Sequence, residues 1–357
     1  MRLIIFEDDA THNFEPLTLT RGSFDLRLGI LSFWERTKIL TKAHTVDFLA
    51  RDYIASHVSR ERKVKGNEPD AIDDEALFVN ALLVLDADLQ KKAKTMKAGT
   101  ALFKKGRLAM AKFGEAPAKE AARLLMGAPG LQSVGSIESM AIERQECEGG
   151  LLISNYWEIV EKNAAQIASD FDLMPKKNSQ AISAKTRFVG KKRNLFIAKS
   201  SRVDPYLYVD AETGPVYIGE DCQINAWCFI QGPSYIGAGT IIHPSSVIRE
   251  GSNIGPVCRV GGEVEESVMQ AHSNKPHAGF LGHAYVGEWA NLGAMFTNSD
   301  LKNTYGSIKV TVRGRKLDSG TIKLGGMIGD HAKGSIGSLL YTGKKVGVCS
   351  QIHGVVQ

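Results

Sequence analysis

The sequence predicts two folded parts, an α/β domain followed by a parallel β-helix. The β-helix is predicted because an aliphatic residue recurs at every sixth position, a period that neither an α-helix nor a lone strand repeats. Three hexapeptides close one triangular coil, so residues eighteen positions apart are expected to stack on one face. The members of this aliphatic column are Ile218, Ile224, Ile230, Ile236, Ile242, Ile248, Ile254 and Val260.

A second column supports the same assignment. A small side chain lies four residues after each of the first seven aliphatic positions: Cys222, Cys228, Ser234, Thr240, Ser246, Ser252 and Cys258. One coil cannot bury its own column, so stacking of successive coils is expected to form the core. The three cysteines of this column are therefore expected to be buried thiols.

Two interruptions of the period predict loops that leave the β-helix. The first spans 263–279, after Gly261-Gly262, and the second spans 298–320. Loops on a rigid scaffold commonly carry function. The period is predicted to resume at Val286 and Leu292, and later at Ile322, Ile328, Leu340, Val346 and Ile352.

The first 174 residues lack this period and mix the patterns of strands and helices, which predicts an α/β domain. Strands are predicted at 2–6, 45–50 and 76–85, helices at 26–40 and 117–126, and a hairpin joining 102–103 to 108–113. A linker helix is predicted over 155–174, capped by Asn155 and Glu158. The predicted domains are thus 1–174 and 185–357.

Composition limits the classes of partner. The net charge of +5 is mild for 357 residues, and no nucleic-acid-binding motif accompanies the lysine clusters. No apolar run approaches the roughly 20 residues that a membrane span needs, and the N-terminus turns acidic too soon for a signal peptide. The five cysteines are few and odd in number. We therefore expect a cytoplasmic protein with no membrane span and no nucleic-acid partner.

Three segments carry a family resemblance: Lys275–Gly287 (KPHAGFLGHAYVG), Asn291–Ala294 (NLGA) and Asn298–Lys302 (NSDLK). With them, the second half resembles the left-handed β-helix acyltransferases, most of all the acetyltransferase half of the bifunctional N-acetylglucosamine-1-phosphate uridylyltransferase/glucosamine-1-phosphate acetyltransferase family. A divergent bacterial branch of sugar nucleotidyltransferases with this β-helix is more similar still. The resemblance implies left-handed coils, a homotrimer, and acetyl-CoA in a groove between neighbouring coils.

The resemblance also implies roles for residues of the second half. His277 matches the base, Asn291 a substrate contact, and Ala294 the backbone amide that faces the oxyanion. Substrate binding is implied for Lys275, Phe280, Asn298 and Lys302. Alternatives stay open: His277 could only pack or cap a loop, Asn291 could only suit a corner, and both lysines could be solvated. Phe280 replaces a tyrosine, and Met295-Phe296 replaces a Gly-Thr pair, which is expected to put bulk near the thioester.

For the first half, the resemblance implies that an NTP and a sugar phosphate bind with Mg²⁺ after the first strand. The loop there, Glu7–Thr18, has no glycine, so Thr18, Arg21 and Arg27 are the predicted nucleotide-binding residues. Ordinary charges flanking a helix are the alternative reading of the two arginines. Asn80 or Asp86 is the predicted metal ligand, although an amide is a poorer ligand for a hard cation than a carboxylate.

Three functions stay open at this point. The chain could be a bifunctional enzyme that makes a nucleotide sugar from an NTP and a sugar 1-phosphate and acetylates an amino-sugar phosphate such as glucosamine 1-phosphate. It could be a nucleotidyltransferase whose β-helix only trimerises and regulates. It could also be a non-catalytic scaffold that binds sugar nucleotides. The sequence identifies neither the NTP nor the sugar, nor whether residue 357 is the natural end of the chain.

Overall fold

The computed structural model describes residues 2–126, 137 and 139–357. These residues form two compact units, each built from two separate stretches of the chain. The first unit comprises Met1–Leu26 and Ser32–Asn155, and the second comprises Arg27–Leu31 and Tyr156–Gln357. The predicted domain bounds, 1–174 and 185–357, stay predictions.

The first unit contains the strands β1 (Arg2–Phe6), β2 (Thr45–Leu49), β3 (Ala76–Asn80), β4 (Leu83–Val84), β5 (Thr100–Lys104), β6 (Arg107–Phe113), β7 (Glu143–Glu146) and β8 (Leu151–Leu152). Six of these strands form a mixed sheet at its centre, in the order β2-β1-β3-β6-β5-β7. β1 pairs in parallel with β2 and β3, β3 pairs antiparallel to β6, and β4 forms a separate ribbon with β8. The helices are α1 (Phe33–Thr41), α2 (Asp52–Arg62), α3 (Ala87–Thr95) and α4 (Glu115–Met126).

Two predictions for this unit need correction. The helix predicted over 26–40 begins only at Phe33, because Ser32 and Glu35 form a reciprocal capping box that fixes the start. The strand predicted over 76–85 is divided at Ala81-Leu82, where the Asn80 side chain accepts a hydrogen bond from the Leu82 amide at 3.0 Å. The hairpin predicted between 102–103 and 108–113 is confirmed, since β5 and β6 pair in antiparallel orientation.

The second unit is a parallel β-helix with three faces, consistent with the left-handed hexapeptide fold. Face 1 contains 195–197, 216–218, 234–236, 252–254, 268–269, 285–286, 327–328 and 345–346. Face 2 contains 202–203, 223–224, 241–242, 259–260, 274–275, 291–292, 333–334 and 351–352. Face 3 contains 187–190, 208–211, 229–231, 247–248, 263–265 and 280–282, followed by 297–298, 339–340 and 355–356.

The predicted core is confirmed. All eight members of the aliphatic column are fully buried, and Ile218, Ile236 and Ile254 stack at eighteen-residue intervals on face 1. Cys222, Cys228 and Cys258 are buried free thiols. Each buried isoleucine contributes roughly 1.5–3 kcal/mol of hydrophobic stabilisation.

The prediction of a loop over 263–279 is wrong, because these residues continue the coils of the β-helix. Ile254 pairs with Met269 fifteen residues later, and Val260 pairs with Lys275 at the same interval. The next coil is longer, since Met269 pairs with Val286 seventeen residues later. The hexapeptide period therefore fails here because the coils shorten, while the strands stay in the β-helix.

The second interruption does leave the β-helix. It carries an antiparallel hairpin of Lys309–Val312 and Arg315–Asp318. Ile322 is 51% exposed and is not part of the core, contrary to prediction, whereas Ile328, Leu340 and Val346 rejoin it as predicted.

Face 1 is covered on its outer side by α5 (Tyr156–Phe171), which the sequence analysis assigned as a linker helix. The Asn163 amide nitrogen of α5 donates to the Gly251 carbonyl at 2.7 Å, and its amide oxygen accepts from the Gly29 amide at 2.8 Å. The Phe171 and Tyr217 rings meet edge to face. In the parts of the chain that the structure describes, no helix is long and apolar enough to cross a bilayer.

Candidate functional site

The outer side of face 2 is polar and uncovered in the second unit. Its outward residues include Arg259, Asn274, Asn291 and Lys333, which together line a groove of about 350 Å³. The Asn274 amide nitrogen lies 3.5 Å from the Asn291 amide oxygen. Because alternate residues of a strand point to opposite sides, the aliphatic column inside the coils leaves these polar side chains outside.

His277 is exposed at the corner between face 2 and face 3. His243 lies at the same corner, and the intervening coil carries Gly261-Gly262 there, so no side chain separates the two histidines. Burial, with the nearby charges of His277 and Arg259, lowers the pKa of His243. His243 Nε2 is buried and has no partner among the described residues. The corner thus brings two imidazoles close to a guanidinium group.

Ala294 lies at this corner as well. The Met295 amide donates to the Ala278 carbonyl at 2.9 Å, which places the Ala294-Met295 turn against the residue that follows His277. The Ala294 carbonyl accepts from the Gly337 amide at 2.8 Å. No described residue accepts a backbone hydrogen bond from the Ala294 amide, so this N–H is able to donate to an oxyanion.

A ladder of stacked rings borders face 2 at its opposite edge, where it meets face 1. The His272 and Trp289 rings lie 4.7 Å apart at an angle of 6°, and the His331 ring lies 6.4 Å beyond Trp289 at 8°. All three residues have left-handed backbone, with φ between 51° and 58°. Trp289 is 52% exposed. The sequence analysis missed this ladder because Trp289 follows His272 after a shortened coil, and His331 follows Trp289 only after the interruption that carries the hairpin.

Lys275 does not lie where a phosphate-binding residue should. It is 1% exposed and occupies the core position between Val260 and Leu292. Its Nζ donates to the carbonyls of Gly261 and Gly279 at 2.7 Å each and to that of His277 at 3.3 Å. Burial lowers the pKa of Lys275 to about 8. Its ammonium group therefore binds the backbone around His277, and the prediction of a phosphate contact is contradicted.

Asn298 is also turned inward. It is 1% exposed and exchanges two hydrogen bonds of 2.9 Å with the Gly282 backbone, as a neighbouring strand would. The structure therefore contradicts its predicted substrate contact. Lys302 Nζ donates to the Ser307 carbonyl, and the half-buried Phe280 lies on face 3.

Two bulky side chains, Met295 and Phe296, were expected near the thioester, but only Met295 is exposed there. Phe296 is fully buried in the β-helix core, so its side chain does not point out of the corner that carries His277 and Ala294. Met295 is 59% exposed at the corner. Any steric effect on a ligand beside Ala294 therefore rests on Met295 alone.

The structure reveals a charged cluster around the buried His283 that sequence reasoning missed. His283 Nδ1 lies 2.7 Å from Asp300 Oδ2, and its Nε2 lies 3.3 Å from Glu266 Oε2. Burial opposes the charge of His283, but the hydrogen bonds to Asp300 and Glu266 outweigh burial and raise its pKa to about 9. These residues are distant in sequence from one another, so only the coil register could have paired them.

In the first unit, the carboxyl end of β1 is filled by buried side chains. The Glu7 carboxylate pairs with the Arg51 guanidinium, whose Nε lies 3.0 Å from Glu7 Oε2. The Asp8 carboxylate accepts two hydrogen bonds from Arg107, at 2.8 Å and 3.1 Å. These ion pairs occupy the edge where a parallel sheet usually meets its ligand.

Two of the predicted nucleotide-binding residues, Thr18 and Arg21, belong to the first unit, and Arg27 belongs to the second. Thr18 is fully buried and donates to the Thr11 carbonyl at 2.9 Å, and Arg21 is 8% exposed. Arg27 belongs to the second unit, where its Nε donates to the Gln270 carbonyl at 3.0 Å and its Nη1 to the Ile30 carbonyl at 2.7 Å. The nucleotide-binding role of Arg27 stays a prediction.

The predicted metal ligands do not fit Mg²⁺. Asn80 is buried, with its amide nitrogen 2.9 Å from Asp8 and its amide oxygen bonded to the Leu82 amide. Asp86 caps α3 through the Leu89 amide and also accepts from the Gly150 amide. Burial of Asp86 is outweighed by these backbone hydrogen bonds, which lower its pKa. Among the described residues, no three His, Cys, Asp or Glu side chains converge on a metal position.

Comparison with known proteins assigns both parts of the chain. Residues 3–179 match the family described as sugar nucleotidyl transferase, and residues 215–250 match the bacterial transferase hexapeptide repeats. The chain therefore combines a sugar nucleotidyltransferase domain with a hexapeptide domain. The core and coils described above are those expected of the hexapeptide domain.

The curated relatives that the chain resembles are named as bifunctional proteins. A bifunctional sugar-1-phosphate nucleotidylyltransferase/acetyltransferase of Sulfurisphaera tokodaii is 34% identical over 142 residues, which is 39% of this chain and 35% of the relative. The bifunctional protein GlmU of Jannaschia sp. is 32% identical over 100 residues, covering 28% of this chain and 21% of that protein. The GlmU protein of Acidithiobacillus ferrooxidans is 38% identical over 79 residues, covering 22% and 17%. The matches thus span about a third or less of these relatives.

Proposed function

We propose that the chain is a transferase of sugar phosphates whose hexapeptide domain moves an acetyl group from acetyl-CoA to an amino-sugar phosphate such as glucosamine 1-phosphate. The observation that carries the proposal is the corner between face 2 and face 3, where exposed His277 lies near His243, Arg259 and the Ala294 turn. The name of the Sulfurisphaera relative pairs sugar-1-phosphate nucleotidylyl transfer with acetyl transfer, which supports the proposal.

In this proposal His277 acts as the general base, because a neutral imidazole can accept a proton near pH 7. It takes a proton from the sugar ammonium group, and the freed amine attacks the thioester carbonyl. The Ala294 amide donates to the resulting oxyanion. The attacking nitrogen then loses its second proton to water, and collapse breaks the carbon–sulfur bond. The new amide remains on the sugar, and the leaving thiolate recovers the first proton from His277. Arg259 and Lys333 supply positive charge on face 2 for phosphate groups.

The hexapeptide domain is proposed to assemble as a homotrimer through face 3. In the second unit, face 1 is covered by α5 and face 2 is polar, whereas face 3 exposes apolar side chains at Tyr208, Leu339 and Val355 beside the charged Glu263 and Glu265. His277 lies at the edge of face 3, so a second copy packed there would border His277. The groove for acetyl-CoA would then be shared between two copies.

The first domain is proposed to convert an NTP and a sugar 1-phosphate into a nucleotide sugar and pyrophosphate. The family match over 3–179 supports this activity. Since Asn80 and Asp86 do not fit Mg²⁺, no step through a metal ion is assigned to this chain's residues. A cytoplasmic location stays part of the proposal and agrees with four buried free thiols.

Two observations favour the competing functions. Met295, 59% exposed beside Ala294, favours a β-helix that only trimerises and regulates. The ion pairs that fill the carboxyl end of β1 favour a first domain that binds sugar nucleotides without catalysis.

The proposal is tested by replacing His277. We expect His277→Ala to lower the rate of thiol release from acetyl-CoA with glucosamine 1-phosphate by roughly 10²–10⁴-fold. Pyrophosphate release from NTPs and sugar 1-phosphates should be unchanged. The matched control is His353→Ala, which removes another exposed histidine of the same domain. An acetylation rate equal to that of the parent would remove His277 from the mechanism and support the regulatory alternative.

A further inference from the structure

A second groove lies in the first unit, at the amino ends of the parallel strands. Its volume is about 560 Å³, which is within the range of small-molecule sites. Arg2 and Thr45, the first residues of β1 and β2, contribute to its wall. The ion pairs of Glu7 and Asp8 lie after the opposite, carboxyl end of β1. This groove is therefore separate from the edge at which the sugar nucleotidyltransferase chemistry is expected.

The groove is strongly basic. Arg2, Lys38, Arg62, Lys63 and Lys65 line it, together with His44, and Asp47 is the single carboxylate in its lining. Arg2 is paired with Asp47 and Asp73, and Arg62 is paired with Asp25. The three lysines have exposed side chains and no ion-pair partner among the described residues. Three lysine charges are therefore available to a ligand.

The groove also offers a flat aromatic surface. Trp34 and Lys38 are one helical turn apart on α1, so they face the same side. The Arg62 guanidinium lies 4.7 Å from the centre of the Trp34 ring, and the Phe48 ring meets Trp34 edge to face at 6.0 Å. These contacts hold the indole in place beside the lysines. A fixed aromatic surface of this kind can stack with a planar ring of a ligand.

β2 is the edge strand of the sheet, and its outer side adds backbone groups to the groove. The Phe48 backbone faces away from the sheet, since its amide donates to the Lys65 carbonyl at 3.1 Å and its carbonyl accepts from the Asn67 amide at 3.1 Å. Val46, two residues earlier on the same strand, presents its amide and carbonyl at the same edge, which there lines the groove. A donor and an acceptor beside an aromatic ring suit the edge of a heterocyclic base.

We propose that this groove binds a nucleotide, with the base against Trp34 and Val46 and the phosphates against Lys38, Lys63 and Lys65. The site is distinct from the proposed transfer sites, so a ligand held there would act as an effector. The two sources of this chemistry are a nucleoside triphosphate and a nucleotide sugar. Both combine an aromatic base with a chain of phosphates.

The test is calorimetric titration of the full chain with UTP, ATP, UDP-glucose and inorganic pyrophosphate. We expect at least one nucleotide to bind, and K38E/K63E/K65E to weaken that binding at least tenfold. The control K91E/K94E/K97E makes the same change of charge on exposed lysines elsewhere in the first unit, and it should change Kd less than twofold. Whether the triphosphate or the nucleotide sugar binds more tightly identifies the source.

A single variant, Trp34→Ala, tests the base contact and covers the case in which the triple variant fails to fold. It should weaken nucleotide binding about tenfold and leave pyrophosphate binding unchanged. Equal effects of the two triple variants, or no nucleotide binding by the parent, would overturn the proposal. Pyrophosphate binding as tight as that of the nucleotides, with no effect of Trp34→Ala, would overturn the assignment of the base.

Discussion

Lys275 is a charged side chain in a position that is otherwise aliphatic. Val260 precedes it in the face 2 column and Leu292 follows, yet the buried ammonium group has three carbonyl partners. Two of these carbonyls belong to His277 and Gly279, so the ammonium group fixes the turn that carries the proposed base. Lys275 is best described as a positioning residue.

Replacing Lys275 with methionine should therefore affect both stability and the proposed acetyl transfer. Methionine has a similar length but no donor, and it would leave buried carbonyls without partners. We expect Lys275→Met to lower the free energy of unfolding by about 1–3 kcal/mol, measured by urea denaturation. At a temperature where the variant is folded, kcat for acetyl transfer should fall more than KM changes.

Lys199→Met is the matched control, because Lys199 is an exposed lysine of the same domain. It should leave stability and kcat near those of the parent. A Lys275→Met variant with lower stability but normal kcat would assign Lys275 a purely structural role.

His283 makes stability depend on pH. Its pKa is raised from 6.5 in the ordinary state to about 9 in the folded protein, so the folded state holds the proton more tightly. The stability gained from this proton is fully present below pH 6.5 and is lost as the pH rises towards 9. Lys275 makes stability rise with pH, but only above about pH 8, because burial lowers the pKa of Lys275 in the folded protein to about 8.

The window between pH 6.5 and pH 8 therefore isolates His283. Over this range we expect the parent to lose about 1–2 kcal/mol of stability, and His283→Gln to lose much less. Urea denaturation at four pH values measures the difference. Parallel pH profiles for the two proteins would mean that His283 is not charged in the folded state.

At the scale of the element, the coil is defined by its inward column. Ile236 is fully buried and stacks between Ile218 and Ile254. We expect Ile236→Asp to destabilise the protein by more than about 3 kcal/mol, because it buries a charge without a partner. Gln223→Asp, on an exposed outward position of the preceding coil, is the control. Equal melting temperatures for the two variants would contradict the coil register.

The same column shows which parts of the fold the sequence could reveal. The regular coils from Ile218 to Val260 were predictable, because each eighteen-residue step repeats the same apolar position. The shortened coils were not, because removal of residues shifts the period and Lys275 replaces an aliphatic residue. The role proposed for His277 could be expected from its motif. The proximity of His243 and Arg259 could not, because it depends on the length of each coil.

At the scale of the whole molecule, face 3 of the second unit exposes the apolar side chains at which we propose that copies pack. We expect sedimentation equilibrium to give a trimer for the parent and a monomer for Leu339→Glu, since this change puts a charge on face 3. Gln351→Glu, exposed on face 2, should remain trimeric. A monomeric parent at micromolar concentration would exclude the shared groove, and a trimeric Leu339→Glu would place the interface on another face.

The short segment Arg27–Leu31 has a consequence for how the chain is made. The Arg27 amide donates to the Tyr285 hydroxyl at 2.8 Å, a partner 258 residues further along the chain. During synthesis, these five residues leave the ribosome long before the coils that receive them exist. The hexapeptide unit therefore cannot be completed in order of translation, and a fragment that begins at Tyr156 would lack a strand of chain that its own coils require.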